Sequence, residues 1–166
     1  EKICSLHGPV LSENLAHYLD LYNKWSSYVP EKDGVMIAYA SIYGNTKKAA
    51  ELLYDKLKAK NVDVIITDLA RCDMSKAISD AFAYGYNADV FPFMRTFIEG
   101  LTERNYQKRT VAFIENGAWA PMAAKVMAGM FEKSKELNIL DKTVKITCAL
   151  NDASVAQIDE LANELA

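Results

Sequence analysis

The sequence has no long apolar run and no marked excess of charge of either sign. Its apolar runs have the length of strands, well short of the roughly 20 residues that a membrane span needs. The 19 basic residues nearly balance the 22 acidic ones, so no basic surface is indicated for nucleic acid or for an anionic membrane. We therefore expect neither a nucleic-acid partner nor association with a membrane.

Cysteine is also scarce. The three cysteines, Cys4, Cys72 and Cys148, are odd in number and form no C-x-x-C pair, which favours a reducing, cytoplasmic compartment over a disulfide scaffold. We interpret all three as small apolar packing residues. The sequence has no signal-peptide pattern and starts at Glu1 without methionine, so we expect this start to be a cut within a longer protein.

Four segments have the composition of buried strands. They are continuous and β-branched rather than alternating, which is typical of a parallel sheet covered on both faces. These segments are Val35–Ala40, Val62–Asp68, Thr110–Glu115 and Lys142–Leu150.

Helical patterns lie between and after these strands, so the pattern predicts an α/β domain. The predicted helices are Thr46–Ala59, Ser75–Tyr84, Pro92–Leu101, Met122–Leu137 and Val155–Leu165. The 166 residues are enough for one domain and its core, and not for two.

The first 30 residues do not follow this alternation. A helix is predicted over Ser12–Ser27, and its apolar residues are expected to face inward: Leu15, Leu19, Tyr22 and Trp25. The polar segment Val29–Gly34, which contains Pro30, then has the composition of a linker. We therefore divide the chain into residues 1–30, the end of a preceding unit with its linker, and residues 31–166, the α/β domain.

The strongest local signal is the segment ASIYGNT, Ala40–Thr46, between the first strand and a helix. A phosphate needs many donors at short range: Ser41 and Thr46 offer hydroxyls, and Gly44 permits a tight turn that aims backbone N–H groups inward. The helix that follows adds its N-terminal dipole. The alternative is an ordinary strand–helix turn. Neither a Walker-type lysine motif nor G-x-G-x-x-G occurs, which argues against a nucleoside triphosphate or a dinucleotide.

The motif S-x-Y-G-N-T resembles the phosphate loop of flavodoxins. Two further segments resemble the flavin loops of the flavodoxin-like domain in flavodiiron proteins: Asn116–Pro121 (NGAWAP) after a strand, and Tyr86–Pro92 (YNADVFP). Trp119 could instead be a core or interface tryptophan. The resemblance implies that FMN is bound by the residues Ser41, Ile42, Tyr43, Gly44, Asn45, Thr46, Tyr86, Asn87, Asn116, Gly117, Ala118 and Trp119.

The segment Cys4–Leu11 (CSLHGPVL) resembles the S-H-G-P-[IV] segment that ends the metallo-β-lactamase-like domain of the same family. Tyr22 and Trp25 match a Y-x-x-W pattern in the helix that follows it. The resemblance makes His7 a ligand of the family's di-iron site. The other ligands of that site lie upstream in the family and are not in this sequence, so we expect no di-iron centre in this chain alone.

The resemblance thus implies a flavodoxin-like doubly wound parallel sheet of order 2-1-3-4-5 with an N-terminal helical extension. It also implies electron transfer from a rubredoxin-like or reductase partner to a di-iron site that reduces O2 or NO, in a homodimeric full-length protein. The alternatives are a free-standing flavodoxin-like FMN carrier, a domain that has lost flavin and mediates assembly, and an NAD(P)H:quinone reductase-like flavoprotein.

One element of this fold is missing from the sequence pattern. No strand is written between the helix Ser75–Tyr84 and the loop Tyr86–Pro92, although the fold needs a central third strand there. We therefore predict that residues are absent near Gly85–Tyr86.

Overall fold

The computed structural model describes residues 1–83, 92–118 and 121–166. Its strands, in chain order, are β1 (Ile3–Cys4), β2 (Val10–Leu11), β3 (Val35–Tyr39), β4 (Val64–Asp68), β5 (Thr110–Val111), β6 (Ile114–Asn116), β7 (Asn138–Ile139) and β8 (Val144–Ile146). The helices are α1 (Leu15–Ser27), α2 (Asn45–Ala59), α3 (Met74–Ala83), α4 (Pro92–Glu103), α5 (Ala123–Met130) and α6 (Asp152–Glu164). Within these residues, no helix has the length and apolar composition that crossing a membrane requires.

The strand pairs of the α/β part are parallel, as predicted. β3 runs alongside β4 in the register Val35↔Val64 to Tyr39↔Asp68, while β5 pairs with β7 and β6 with β8. The single strand predicted over Thr110–Glu115 is therefore divided into two. β7 falls in a segment where the sequence pattern indicated no strand.

The core forms two layers, one on each side of the strands. All five residues of β3 are buried, and they alternate between the layers: Val35 and Ile37 pack with α2 and α6, and Met36 and Ala38 pack with α3, α4 and α5. Because both faces of β3 are covered by helices, the doubly covered sheet expected from the continuous apolar strands is confirmed, as is the doubly wound α/β arrangement that the resemblance implies.

α3 and α6 begin at residues whose side chains cap the helix N-terminus. Asp73 caps α3, since its Oδ1 accepts from the backbone N–H of Ser75 at 2.8 Å and of Lys76 at 3.2 Å. A reciprocal capping box between Asn151 and Ser154 starts α6. The prediction for α5 was too long, because this helix ends at Met130 rather than Leu137.

The N-terminal segment forms the antiparallel hairpin β1–β2 followed by α1. Its apolar residues were expected to face inward, and that expectation was wrong: α1 contains no buried residue, and Leu19, Tyr22 and Trp25 are each more than half exposed. Nothing among the described residues covers this helix face. The segment joins the α/β part through backbone carbonyls, because Lys108 Nζ donates to the Ser27 carbonyl at 3.1 Å and Arg109 Nη1 donates to that of Tyr28.

The prediction of absent residues near Gly85–Tyr86 lies outside the described residues. So does the predicted end of α3 at Tyr84.

Candidate functional site

The segment between β3 and α2 forms a tight loop, as its sequence predicts. Gly44 adopts φ +82°, a left-handed conformation that glycine takes without strain. Its N–H donates to Ser41 Oγ at 3.0 Å, and its carbonyl accepts the first bond of the helix, from Lys48 N–H at 3.0 Å. The loop therefore folds back on itself directly before α2.

This geometry leaves donors at the start of α2. The N–H groups in the first turn of a helix have no intrahelical acceptor and carry the positive end of the helix dipole. In α2 no side chain caps them. Ser41 Oγ accepts from Gly44, which leaves the hydroxyl proton of Ser41 free to be donated. The Thr46 side chain adds a second hydroxyl at the same place. The arrangement is suited to an anion with several oxygens, such as a phosphate monoester.

A second wall of the site begins where β6 ends. Gly117 N–H donates to the Ile146 carbonyl at 3.0 Å, and Asn116 Nδ2 donates to the Cys148 carbonyl at 3.4 Å. These bonds tie the start of the Asn116–Pro121 loop to the end of β8. The phosphate loop follows β3 and the Asn116–Pro121 loop follows β6. Each therefore begins at the carboxyl end of a strand, where open α/β sheets bind their ligands.

The two walls enclose a cleft of about 420 Å³, within the size range of small-ligand sites. The residues that line it are Ala40, Ser41, Ile42, Tyr43, Asn45, Thr46, Asn116, Gly117, Ala118, Ala123 and Cys148. The structure thus brings together eight of the predicted site residues, and Gly44 shapes the loop behind them. Tyr86, Asn87 and Trp119 lie outside the described residues.

Three residues of the cleft were not predicted from the sequence: Ala40, Ala123 and Cys148. Cys148 is exposed and has φ +66° just after β8. The sequence pattern placed Cys148 inside the predicted strand Lys142–Leu150, whereas β8 ends at Ile146, so the pattern contained no signal for this residue. The interpretation of all cysteines as packing residues was wrong for Cys148 and for Cys4, which are both exposed, while Cys72 is partly buried against the core.

At the base of the phosphate loop, the Tyr39 phenol lies beside the Asp68 carboxylate. Burial, the neighbouring Asp68 carboxylate and Glu51 raise the pKa of the Tyr39 phenol, which hydrogen-bonds the Asp68 side chain. Tyr39 therefore stays neutral and protonated at the end of β3. Backbone dipoles of the loop and of α2 are suited to balance part of the charge of a bound phosphate.

His7 lies elsewhere, in the turn between β1 and β2, where its side chain is exposed. The described residues contain no group of three or more histidine, cysteine or acidic side chains arranged to hold a metal ion. Within this part of the chain, His7 has no set of co-ligands around it.

The chain matches no protein-family profile. A curated relative is the uncharacterized protein MJ0534 of Methanocaldococcus jannaschii, 29% identical over 177 aligned positions that include all of this chain and 44% of the relative. The chain therefore spans less than half the length of the curated relatives it matches.

Solved structures with the same fold fall into two groups. Rubredoxin oxygen:oxidoreductase from Desulfovibrio gigas (TM-score 0.86, 17% identity) and the flavodiiron protein from Giardia intestinalis (TM-score 0.82, 15% identity) each match 99% of this chain over 43% of their own. A flavodoxin from the domain Archaea (TM-score 0.64, 20% identity) matches 81% of this chain and 96% of its own. The fold of the chain is flavodoxin-like, and it is shared with part of the flavodiiron proteins.

Proposed function

We propose that this chain is the FMN-binding, electron-transfer part of a flavodiiron oxygen or nitric oxide reductase. The observation that carries the proposal is the cleft at the carboxyl ends of the strands, where the uncapped start of α2 and the loop after β6 face each other. A flavodoxin-like fold with its phosphate-type loop in this place is suited to a flavin mononucleotide.

The residues present fit FMN at both ends of the cofactor. The phosphate fits the hydroxyls of Ser41 and Thr46 and the backbone N–H groups from Tyr43 to Asn45, because this loop offers many donors and a helix dipole. The ring fits along Asn116–Ala118, where the cleft wall is small and partly apolar, together with Asn87, Tyr86 and Trp119 from the family motifs. Bound FMN would supply electron transfer, while the chain binds and orients it and excludes water from the ring.

The rest of the proposed function belongs to the full-length protein. Electrons enter from a rubredoxin-like or reductase donor in the cytoplasm and leave toward a di-iron site in an upstream domain, in a homodimer. Residues 1–30 are then the end of that domain, with His7 as one iron ligand. The exposed apolar face of α1 supports this division, because a stripe of Leu19, Tyr22 and Trp25 is costly to leave in water.

A free-standing FMN carrier is the alternative that the archaeal flavodoxin favours, since 96% of that protein aligns with this chain. The flavodoxin leaves about a fifth of this chain unmatched, whereas the two longer structures match 99% of it. A carrier of flavodoxin size, or an NAD(P)H:quinone reductase-like flavoprotein, gives no role to residues 1–30. The flavodiiron assignment does.

The proposal is tested by titrating the purified chain with FMN and following flavin fluorescence and visible absorbance. The parent should bind FMN, and Thr46→Val should weaken binding by roughly 1.5–3 kcal/mol, the loss of one charge-assisted hydrogen bond. Thr96→Val is the matched control, because Thr96 is exposed on α4 and its hydroxyl donates only locally, to the Pro92 carbonyl. A parent that binds no flavin contradicts the proposal, and a Thr46→Val variant of parental affinity removes Thr46 from the site.

A further inference from the structure

Glu115 is a buried carboxylate for which the proposed binding of FMN gives no role. It lies in the middle of β6 and is only 2% exposed. Its Oε2 accepts from the backbone N–H of Ala124 at 3.0 Å. Its Oε1 is 3.8 Å from Nζ of Lys145, whose side chain is 62% exposed.

A buried carboxylate is costly unless it is hydrogen-bonded or paired. The contact with Lys145 is long, and a pair with so exposed a partner contributes little. The bond to Ala124 is therefore the main interaction that holds the carboxylate, with help from the positive end of the α5 dipole.

This bond replaces a local helix cap. The residue before α5 is Met122, which has no side-chain acceptor, and no side chain of the neighbouring sequence caps the helix. Glu115 satisfies the N–H of Ala124 from nine residues upstream instead. The residues between them include Gly117, Ala118 and Ala123, which all line the cleft.

We infer that Glu115 is a positioning residue that holds the start of α5 against β6 and thereby sets the ring side of the cleft, an inference that rests on the proposed FMN site. On one side of this wall, Asn116 and Gly117 are bonded to the carbonyls of Cys148 and Ile146. On the other side, Ala124 is bonded to Glu115. With both sides held, Gly117 and Ala123 keep a constant separation across the wall that faces the ring. Without Glu115, the start of α5 is free to move away from β6 and the wall opens.

Three substitutions of Glu115 separate the effect of side-chain length from the effect of charge. Glu115→Gln keeps an oxygen acceptor at the same reach, Glu115→Asp keeps the charge on a side chain one methylene shorter, and Glu115→Ala removes both. Lys145→Gln is the matched control, because it removes the cation that lies 3.8 Å from the carboxylate and leaves the bond to Ala124 in place.

The variants are titrated with riboflavin and with FMN, and their folding is followed by circular dichroism. Glu115→Ala and Glu115→Asp should weaken the binding of riboflavin and the binding of FMN by the same factor. This factor is about tenfold or more, as for a lost hydrogen bond to a charged group. The equal factor is expected because the change lies on the ring side, whereas Thr46→Val should weaken FMN and leave riboflavin unchanged. Glu115→Gln should recover most of the affinity, and Lys145→Gln should bind as the parent does.

A folded Glu115→Ala or Glu115→Asp variant with parental affinity for riboflavin overturns the inference. Loss of folding in both also overturns it, because Glu115 would then be needed for the fold and not for the cleft. These results leave the proposed function standing as long as the parent binds FMN. If the parent binds neither flavin, the proposed function fails and the inference falls with it.

Discussion

Gly44 is the residue on which the geometry of the phosphate loop depends. Its φ of +82° places it in the left-handed region, and a Cβ built on it meets no atom within 4 Å. A side chain at this position is therefore opposed by backbone conformation alone and not by crowding. Gly129 in α5 is the opposite case, since it has equally open space and a helical backbone.

This pair gives a matched test of the loop. Gly44→Ala should lower the free energy of unfolding by about 1–2 kcal/mol, the cost of a left-handed conformation for a residue with a Cβ. Gly129→Ala should raise it by roughly 0.5–1 kcal/mol, because alanine loses less backbone entropy than glycine in a helix. Urea unfolding measures both. A Gly44→Ala variant as stable as the parent would mean that this conformation is not required.

The parts of the site that could be predicted are the ones that are local in sequence. Ser41–Thr46 is one loop between a strand and a helix, so its residue types reveal its geometry. Ala123 and Cys148 reach the cleft from other elements, and only the pairing of β6 with β8 brings Cys148 beside Asn116. Glu115 gave no signal because its partner is a backbone N–H, which every residue except proline offers.

At the scale of elements, α3 and α4 meet at Gly100. A Cβ on Gly100 would lie 2.5 Å from Cδ1 of Ile78 and 3.4 Å from its Cγ1. Ile78 belongs to the core layer that contains Met94 and Phe97, and Gly100 is buried on α4. The end of the Ile78 side chain packs directly against the backbone of α4 because residue 100 has no side chain.

Gly100→Ala should therefore lower stability by about 1–3 kcal/mol through overpacking. Ile78→Val removes Cδ1, the atom responsible for the clash, and should cost about 0.5–1.5 kcal/mol alone. The double variant should be more stable than the sum of the single changes predicts, with a coupling of roughly 0.5–3 kcal/mol. The cycle is measured by thermal or urea unfolding. Strict additivity would show that the contact between the helices is absent.

The sequence predicted well those elements whose pattern is long. β3, β4 and α2 begin and end within two residues of the predicted bounds, because a continuous apolar run of a whole strand and a 15-residue amphipathic helix are long enough to be recognised. β1, β2, β5 and β7 have two residues each, too few for any period. The prediction that the apolar side of α1 faces inward was wrong. An apolar stripe predicts that a helix face is covered and does not say by which part of the protein.

At the scale of the whole molecule, the strands of the described residues fall into four pairs, three of them in the α/β part. Among the described residues β3 pairs only with β4, and β6 only with β8. A flavodoxin-like sheet of order 2-1-3-4-5 places one further strand between β3 and β6. That strand would have to be formed after α3, which ends at Ala83, and before the loop that leads to α4.

The sequence leaves one residue, Gly85, for this strand between the helix predicted over Ser75–Tyr84 and the segment Tyr86–Pro92. A helix of a parallel α/β sheet returns to the amino ends of the strands, whereas the family loop that Tyr86–Pro92 resembles lies at their carboxyl ends. Crossing takes about five residues at roughly 3.3 Å each, whereas one peptide link spans about 3.8 Å.

We therefore predict that the natural protein carries further residues near Gly85–Tyr86 and that they form the central strand. Without it, β3 and β6 would each leave a row of backbone donors and acceptors unpaired in the core, which native proteins avoid. The measurement is tryptic peptide sequencing of the natural protein by mass spectrometry. In the present sequence, cleavage at Lys76 and Arg95 releases the peptide Ala77–Arg95. Finding that peptide intact, with Gly85 joined directly to Tyr86, contradicts the prediction, and peptides with additional β-branched residues at this junction are the expected result.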